Sequence, residues 1–499
     1  MNQIKTGALI SYASLFLNIV TGLLYTPWMI STIGKGNYGL YTLAMSVISL
    51  FVFDFGLGSA ITRFVSKFLA EGRQYMVDKL LGLTFKLYLL GDLLILVSLT
   101  VIYFFLPSMY RGLTPDELES FKIVYIIASM FCVISFPFLP LNGVLTSYEK
   151  FIQLKSCDFA HKLIVVILMT ICLLIGTGVY ALVAINSFAS ILMIIFKLYV
   201  LGGKRISAID WKYWDKQLLR SVFSFSVWVT IIQLSQRCVF NIAPSILAYT
   251  TNSTAVTMLG IAICLEGYTY TFAGAINGMF LPRVSRLLER NDRGEILNLM
   301  IRVGRIQIYI IGLICVGFVC IGREFILCWM GEGFEDVYPC ALMLILPSFL
   351  QLPQEIGSNT VIAEGKVKYQ AYAFIIMAAL NLILAFPLSI HYGVKGLCLS
   401  IMFAYMIRTA IMDYIFYKHI HLNVVIFFKE SYCKILPSII LSSIITIIVL
   451  QFTNLDSWIG LITKSIVCAA IYIFCIVLLA FNKEEKDLFI SPIRKLYNS

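Results

Sequence analysis

Charge is scarce in this chain. Of its 499 residues 13% are Asp, Glu, Lys or Arg and 60% are hydrophobic, with a mean hydropathy of +0.89. A soluble protein that apolar would have no surface left for water, so the bilayer must be its solvent. Histidine is rare as well: His161, His391, His419 and His421 are the four. The last two sit beside Lys418 in a basic loop without a carboxylate partner or a third ligand, which leaves no metal or acid–base constellation,. There is no CxxC pair. The thirteen cysteines are scattered singly, mostly in apolar runs as at Cys132, Cys172, Cys264 and Cys315, and read as small core hydrophobes. No glycine-rich phosphate loop or Walker pattern occurs, which excludes ATP as a direct energy source of the chain. A membrane glycosyltransferase or acyltransferase would need a carboxylate or histidine cluster near the interface. The reading is therefore not an enzyme, and no cofactor is expected.

Long apolar runs are what the sequence does have. A spanning helix needs about 20 apolar residues, and fourteen candidates lie near 8–30, 39–61, 80–106, 119–146, 159–177, 180–201, 219–248, 254–281, 301–322, 337–362, 370–390, 394–417, 433–452 and 457–481. The fold class is thus all-α polytopic. The first run exceeds the usual length of a signal-peptide core, lacks a small-residue cleavage site and contains Pro27-Trp28, so it is read as a retained span. Sorted by alternate loops, thirty of the Lys and Arg residues fall on the side of the N-terminus and six on the other, Lys35, Arg111, Lys122, Arg323, Lys395 and Lys464. That asymmetry predicts both termini in the cytoplasm. The net charge of +11 then faces anionic headgroups; spread over short loops, it is no footprint for nucleic acid.

An internal duplication organises the chain. Val65-Ser66-Lys67-Phe68-Leu69 and Val284-Ser285-Arg286-Leu287-Leu288 stand 219 residues apart, and Glu149-Lys150-Phe151 and Gly365-Lys366-Val367 stand 216 apart. Pro140 and Pro353 occupy late positions in matching spans. Two parallel six-helix repeats are expected: residues 1–203, then an interfacial linker 204–220 rich in Ile206, Ile209, Trp211, Tyr213 and Trp214, then 221–425. An appended pair at 426–482 and a cytoplasmic tail at 483–499 follow. Thr114-Pro115-Asp116-Glu117 reads as a capping box. Glu324, Glu332, Glu335 and Asp336 make an acidic outer loop.

Leu24-Tyr25-Thr26-Pro27-Trp28-Met29, Gly36-Asn37-Tyr38-Gly39-Leu40-Tyr41 and Asp54-Phe55-Gly56-Leu57-Gly58 resemble the opening of the polysaccharide-exporter flippases. Trp329-Met330-Gly331 and Gly365-Lys366-Val367-Lys368-Tyr369 are similar to that family as well. These are the O-antigen and capsule repeat-unit translocases, of the superfamily that includes the MATE multidrug exporters. The resemblance covers about residues 1–420 and is best over the first 75. It implies two lobes around a central cavity that carries an undecaprenyl-pyrophosphate-linked oligosaccharide across a bacterial inner membrane. It also implies membrane lipids, a polysaccharide polymerase and a chain-length regulator as partners. A cation-coupled drug exporter and a lipid II-type flippase or spore-coat relative of the same fold are the alternatives.

Ionisable residues inside spans are expensive and mark function. Arg237 lies 17 residues beyond Arg220, about 25 Å along a helix, and Glu266 falls at similar depth after the turn near Thr251-Asn252. Either Arg237 meets the pyrophosphate while Glu266 modulates it or takes a coupling cation, or the two form a neutralising ion pair. Arg408 and Glu355, beside Pro353, complete the substrate-binding set, with Asp413 five residues beyond Arg408. Asp54, Asp92 and Lys86 are coupling or structural residues; Lys86 is close enough to the basic end of its span to snorkel. Asn18, Gln233, Gln236, Asn241, Asn277 and Asn381 are polar groups in apolar spans, suited to sugar hydroxyls or to interhelical bonds. Proton or sodium coupling is expected from Glu266, Glu355 and Asp54.

Overall fold

The computed structural model describes all residues except 1–2, 53–55, 177, 203–209, 211–212, 278–279, 452–457, 483–484 and 487–499. Asp54, residues 204–209 and 211–212 of the linker, and most of the tail over 483–499 lie outside the described residues. Every described element is helical. Ten helices among the described residues are long and apolar enough to cross a membrane, against the fourteen spans expected. Two expected spans, 370–390 and 394–417, lie within Val367–Lys418, two helices that meet at a kink where Gly393 leaves helical geometry. The expected span over 39–61 is shortened to the 17 residues Lys35–Phe51. Those over 219–248 and 254–281 are helical but fall outside the ten.

Backbone contacts divide the chain into two compact units, Met1–Gly260 with Phe374–Leu397, and Ile261–Ala373 with Cys398–Ser499. The first contains α1 (Gln3–Ile33), α2 (Lys35–Phe51), α3 (Leu57–Ala70), α4 (Gln74–Met109), α5 (Pro115–Ser135), α6 (Leu141–Ser147), α7 (Phe151–Ile175), α8 (Val179–Leu201), α9 (Lys216–Phe240) and α10 (Ala243–Thr250). The helix α11 (Ser253–Asn277) opens in the first unit and continues into the second. The second then holds α12 (Leu281–Glu289), α13 (Arg293–Met330), α14 (Val337–Gln351), α15 (Glu355–Ala363), parts of α16 (Val367–Lys418), α17 (Val424–Glu430), α18 (Tyr432–Leu450) and α19 (Trp458–Cys475).

The duplication reappears as a repeated order of elements. A short helix bearing the Val-Ser-Lys/Arg motif, α3 or α12, leads through a tight turn into a very long helix, α4 or α13. The turn residues Gly72 and Asn291 both take positive φ. A later span then breaks in a 3₁₀ turn next to its proline, at Phe136–Phe138 in one copy and Leu352–Gln354 in the other, and resumes as a short helix. Proline removes an N–H from the helical ladder, so the break has a local cause. In each copy the short motif helix packs on the resumed one, α3 on α6 and α12 on α15.

Apolar residues cover both the inside and the outside. In the first unit Tyr88 packs at a tilt against Phe136 with centroids 5.3 Å apart, and Tyr110 meets Phe121 edge-on at 5.2 Å. Leu89, Leu90, Leu93, Leu94, Val97 and Phe104 of α4 are exposed, a face suited to hydrocarbon. The core of the second unit gathers Val284, Ile296, Met300, Ile308, Ile356, Phe416 and Phe427. The expected capping box at Thr114 is formed: its hydroxyl accepts from the Glu117 N–H at 3.3 Å, and Glu117 Oε2 accepts from the Thr114 N–H at 2.9 Å. Of the acids expected in one outer loop, Glu324 lies instead within α13, where its Oε2 accepts from the buried Lys464 Nζ at 2.8 Å.

Candidate functional site

The expected span over 39–61 is interrupted. α2 ends at Phe51 and α3 starts at Leu57, with Gly56 in the left-handed region. A helix end strands carbonyls that in hydrocarbon have no water to accept from. α9 supplies the donors. Arg237 Nη1 donates to the Ser49 carbonyl, in the last turn of α2. Ser226, eleven residues and three turns earlier on the same face, donates through Oγ to the Gly56 carbonyl at 3.2 Å. Asn241 Nδ2 reaches the Ser46 carbonyl at 3.4 Å. α9 itself is started by Asp215, whose Oδ1 accepts from the N–H groups of Gln217 at 2.7 Å and Leu218 at 3.2 Å. The Tyr213 hydroxyl and these N–H groups hold the Asp215 carboxyl below its ordinary range. The half-buried Arg237 is thereby aimed at a discontinuity in the neighbouring helix.

In the second unit three elements bring charges together. Glu266 and Tyr270 are four residues apart on α11 and share a face. Glu355 opens α15 directly after the 3₁₀ turn at Pro353, so its carboxylate sits at a helix N-terminus, where negative charge is favoured. Tyr405 and Arg408 come from the last third of α16. Arg408 is 4% exposed, and its guanidinium lies 5.8 Å from the Tyr405 ring centre. Tyr270 is within electrostatic range of Glu266, Glu355 and Arg408, and Arg408 of Tyr405, Tyr270 and Glu355. α15 lies this close to α16 because Gly357 has no side chain. A Cβ there would stand 2.9 Å from the Phe416 ring. Behind Glu355, Gln354, Ser358, Asn359 and Thr360 are buried polar residues, and Gln354 lies beside Asp413.

The expected set is therefore distributed as follows. Glu266, Glu355 and Arg408 form one cluster, with two carboxylates to one guanidinium. Arg237 belongs to the other unit and is bonded to backbone. Lys86 Nζ donates to the Tyr213 carbonyl at 3.0 Å, ahead of α9. Asp92 is half-buried in α4, and its Oδ1 has no hydrogen-bond partner among the described residues. Tyr270 and Tyr405 were not expected. The signal was present in their spacing, four after or three before a charged residue on the same helix, but tyrosine is too common here to stand out. A cluster of this composition can hold a cation or exchange a proton between the carboxylates while the guanidinium keeps one of them ionised.

The polysaccharide biosynthesis protein family matches residues 4–288, more than half of the chain. Among solved structures, an inward-facing multidrug resistance MATE transporter of the MOP superfamily aligns with a TM-score of 0.68 at 15% identity, over 83% of this chain and 98% of that one. The lipid II flippase MurJ, in an inward closed conformation, aligns with a TM-score of 0.67 at 15% identity, over 94% of this chain and 97% of its own. A MOP superfamily transporter from Pyrococcus furiosus, described by the reverse polarity of its binding pocket, gives 0.59 at 14% identity over 84% and 95%. No curated protein matches the chain. The likeness establishes the fold, a multi-pass helical architecture of the MATE and MurJ kind.

Proposed function

This chain belongs to the polysaccharide biosynthesis protein family, and from that premise we propose that it is a flippase for an undecaprenyl-pyrophosphate-linked oligosaccharide, an O-antigen or capsule repeat unit. It works in a bacterial inner membrane with both termini cytoplasmic, by alternating access between lobes at 1–203 and 221–425. Residues 204–220 link the lobes and 426–482 are appended. A sugar–pyrophosphate head cannot enter hydrocarbon without replacements for its water. The observation that carries the reading is the cost accepted within the spans: the chain keeps charged side chains at Arg237, Glu266, Glu355 and Arg408 where apolar residues would be easier to hold. Arg237 and Arg408 meet the anionic head. Glu266 and Glu355, exceeding Arg408 by one charge when both are ionised, take up the coupling proton or sodium ion; Asp54 and Asp92 are secondary candidates. A polysaccharide polymerase and a chain-length regulator act downstream on the delivered unit.

The test is complementation of a strain lacking its own repeat-unit flippase, read as surface polysaccharide with membrane protein level as a control. Arg408→Ala is expected to abolish polysaccharide and Glu266→Gln to reduce it. Wild-type polysaccharide from both variants would refute the reading. The excess carboxylate specifically favours one second reading, a cation-coupled exporter, which predicts drug resistance and no polysaccharide in the same strain.

A further inference from the structure

α12 is amphipathic in a way that its counterpart is not. Val284 is fully buried in the core of the second unit, with Leu287 and Leu288 packed against it. Arg283, Arg286 and Arg290 stand exposed at a spacing of three and four, one face of the helix,. They line a cavity of about 380 Å³ with Leu287. Arg283 also borders a larger cavity of about 530 Å³, whose polar wall includes Glu295, Asn298, Arg302, Arg305, Asn482 and Glu485, with Asn298 Nδ2 donating to Glu295 Oε1 at 3.3 Å, and whose apolar wall includes Leu299 and Ile306. Within it Glu485 engages Arg305 through both carboxylate oxygens, at 2.7 and 2.8 Å. Arg283 and Arg302, both exposed, are the other cations of its lining.

Depth places this cavity. α13 has 38 residues, about 57 Å at 1.5 Å per residue, against a hydrocarbon core of about 30 Å. Arg302 and Arg323 are 21 residues apart on it, about 31 Å, so they bracket the hydrocarbon. Arg302 then lies at headgroup level, with polar and apolar walls meeting beside it. The first copy of the motif offers a comparison. There Glu71 pairs with Lys67 at 3.9 Å and with Arg73 at 3.2 Å. At the offset of 219 the counterpart of Glu71 is Arg290. A neutralising acid in one copy is a third arginine in the other.

We propose that the cavity walled by Arg283, Asn298 and Arg302, with the arginine face of α12 at its rim, binds the phosphodiester headgroup of an anionic phospholipid from the leaflet on that side. Guanidinium forks match phosphate oxygens two at a time, and the apolar wall receives the first carbons of the acyl chains. This lipid is a resident ligand, distinct from the cargo.

Native mass spectrometry of the full chain in detergent, titrated with phosphatidylglycerol or phosphatidylcholine, tests the site. Wild type is expected to prefer phosphatidylglycerol. Arg283→Gln with Arg302→Gln is expected to weaken phosphatidylglycerol binding about tenfold or more, since each loses a charge-assisted bond. Arg283→Lys with Arg302→Lys should retain part of the binding, and Lys67→Gln, in the first copy, should leave it unchanged. An unaltered preference in the double glutamine variant overturns the proposal. So does an equal loss in Lys67→Gln, which would reduce the effect to overall charge. Inorganic pyrophosphate binding more tightly than phosphatidylglycerol, and lost in the same double variant, would reassign the cavity to a free anion.

Discussion

Glu485→Met should be among the most damaging changes outside the membrane core. Arg305 is 4% exposed and Glu485 7%. The guanidinium makes two bonds to the carboxylate and further bonds to the Glu430 carbonyl at 2.8 Å, the Ala480 carbonyl at 2.7 Å and the Tyr309 hydroxyl at 2.8 Å. Asn482 and Glu485 cap each other reciprocally, N–H to Oε2 at 2.9 Å and N–H to Oδ1 at 2.8 Å. Removing the carboxylate leaves a buried cation, which costs about 3–5 kcal/mol, or two to three and a half orders of magnitude in the folding equilibrium at about 1.4 kcal/mol per decade. Arg305→Met strands the acid and two carbonyls and should cost at least as much. With both changes no charge is stranded, so the double variant should cost less than the sum by about 3 kcal/mol. The assay is reversible unfolding in mixed micelles, followed by circular dichroism for all four corners of the cycle. Additivity to within about 0.5 kcal/mol would refute the reasoning. The same pair predicts a pH dependence. Burial pushes the Glu485 carboxyl up, and bonds from Arg305, the Asn482 N–H and Tyr309 outweigh it, so it ends below its ordinary 4.5. Its stabilisation is therefore complete above that value and fades as pH falls through the folded-state value. Acid should weaken wild type more than Glu485→Met.

Three further outcomes follow from single contacts. Gly393 sits at φ 57, ψ −135 within α16, where a Cβ is strained; Gly393→Ala should destabilise by about 1–3 kcal/mol, seen as a lower melting temperature in detergent. Gly357→Leu overpacks α15 against Phe416, at about 1–3 kcal/mol. Phe416→Leu should relieve part of that loss, and additive melting shifts would count against the contact. Arg237→Ala should orphan the Ser49 carbonyl and cost about 1–3 kcal/mol, with Arg237→Lys milder; a variant as stable as wild type would show that the break between α2 and α3 needs no such donor.

Much of the architecture was legible because hydrocarbon imposes simple rules on a sequence. Most of the apolar runs fall on helices, the run over 39–61 being the exception, and the Thr114 capping box could be read residue by residue. The breaks were not legible. The run over 39–61 carries Asp54, Gly56 and Gly58, but these residue types alone do not say that it parts around Gly56 while Arg237 and Ser226, some 170 to 190 residues later, support the loose carbonyls. The charged set was found by its cost inside spans. Its grouping was not, because five residues on three helices meet only through the prolines and glycines that bend and seat α15.

Composition alone determined that this is a multi-pass helical protein, and the repeated motifs alone revealed its duplication, since apolarity and self-similarity are properties of the chain that no packing can undo. Tertiary structure decided which charges face one another: Glu266, Glu355 and Arg408 together, Arg237 against backbone, Arg305 locked to Glu485. Contact between residues far apart in sequence depends on how helices bend and pack, and that information is spread over every side chain between them.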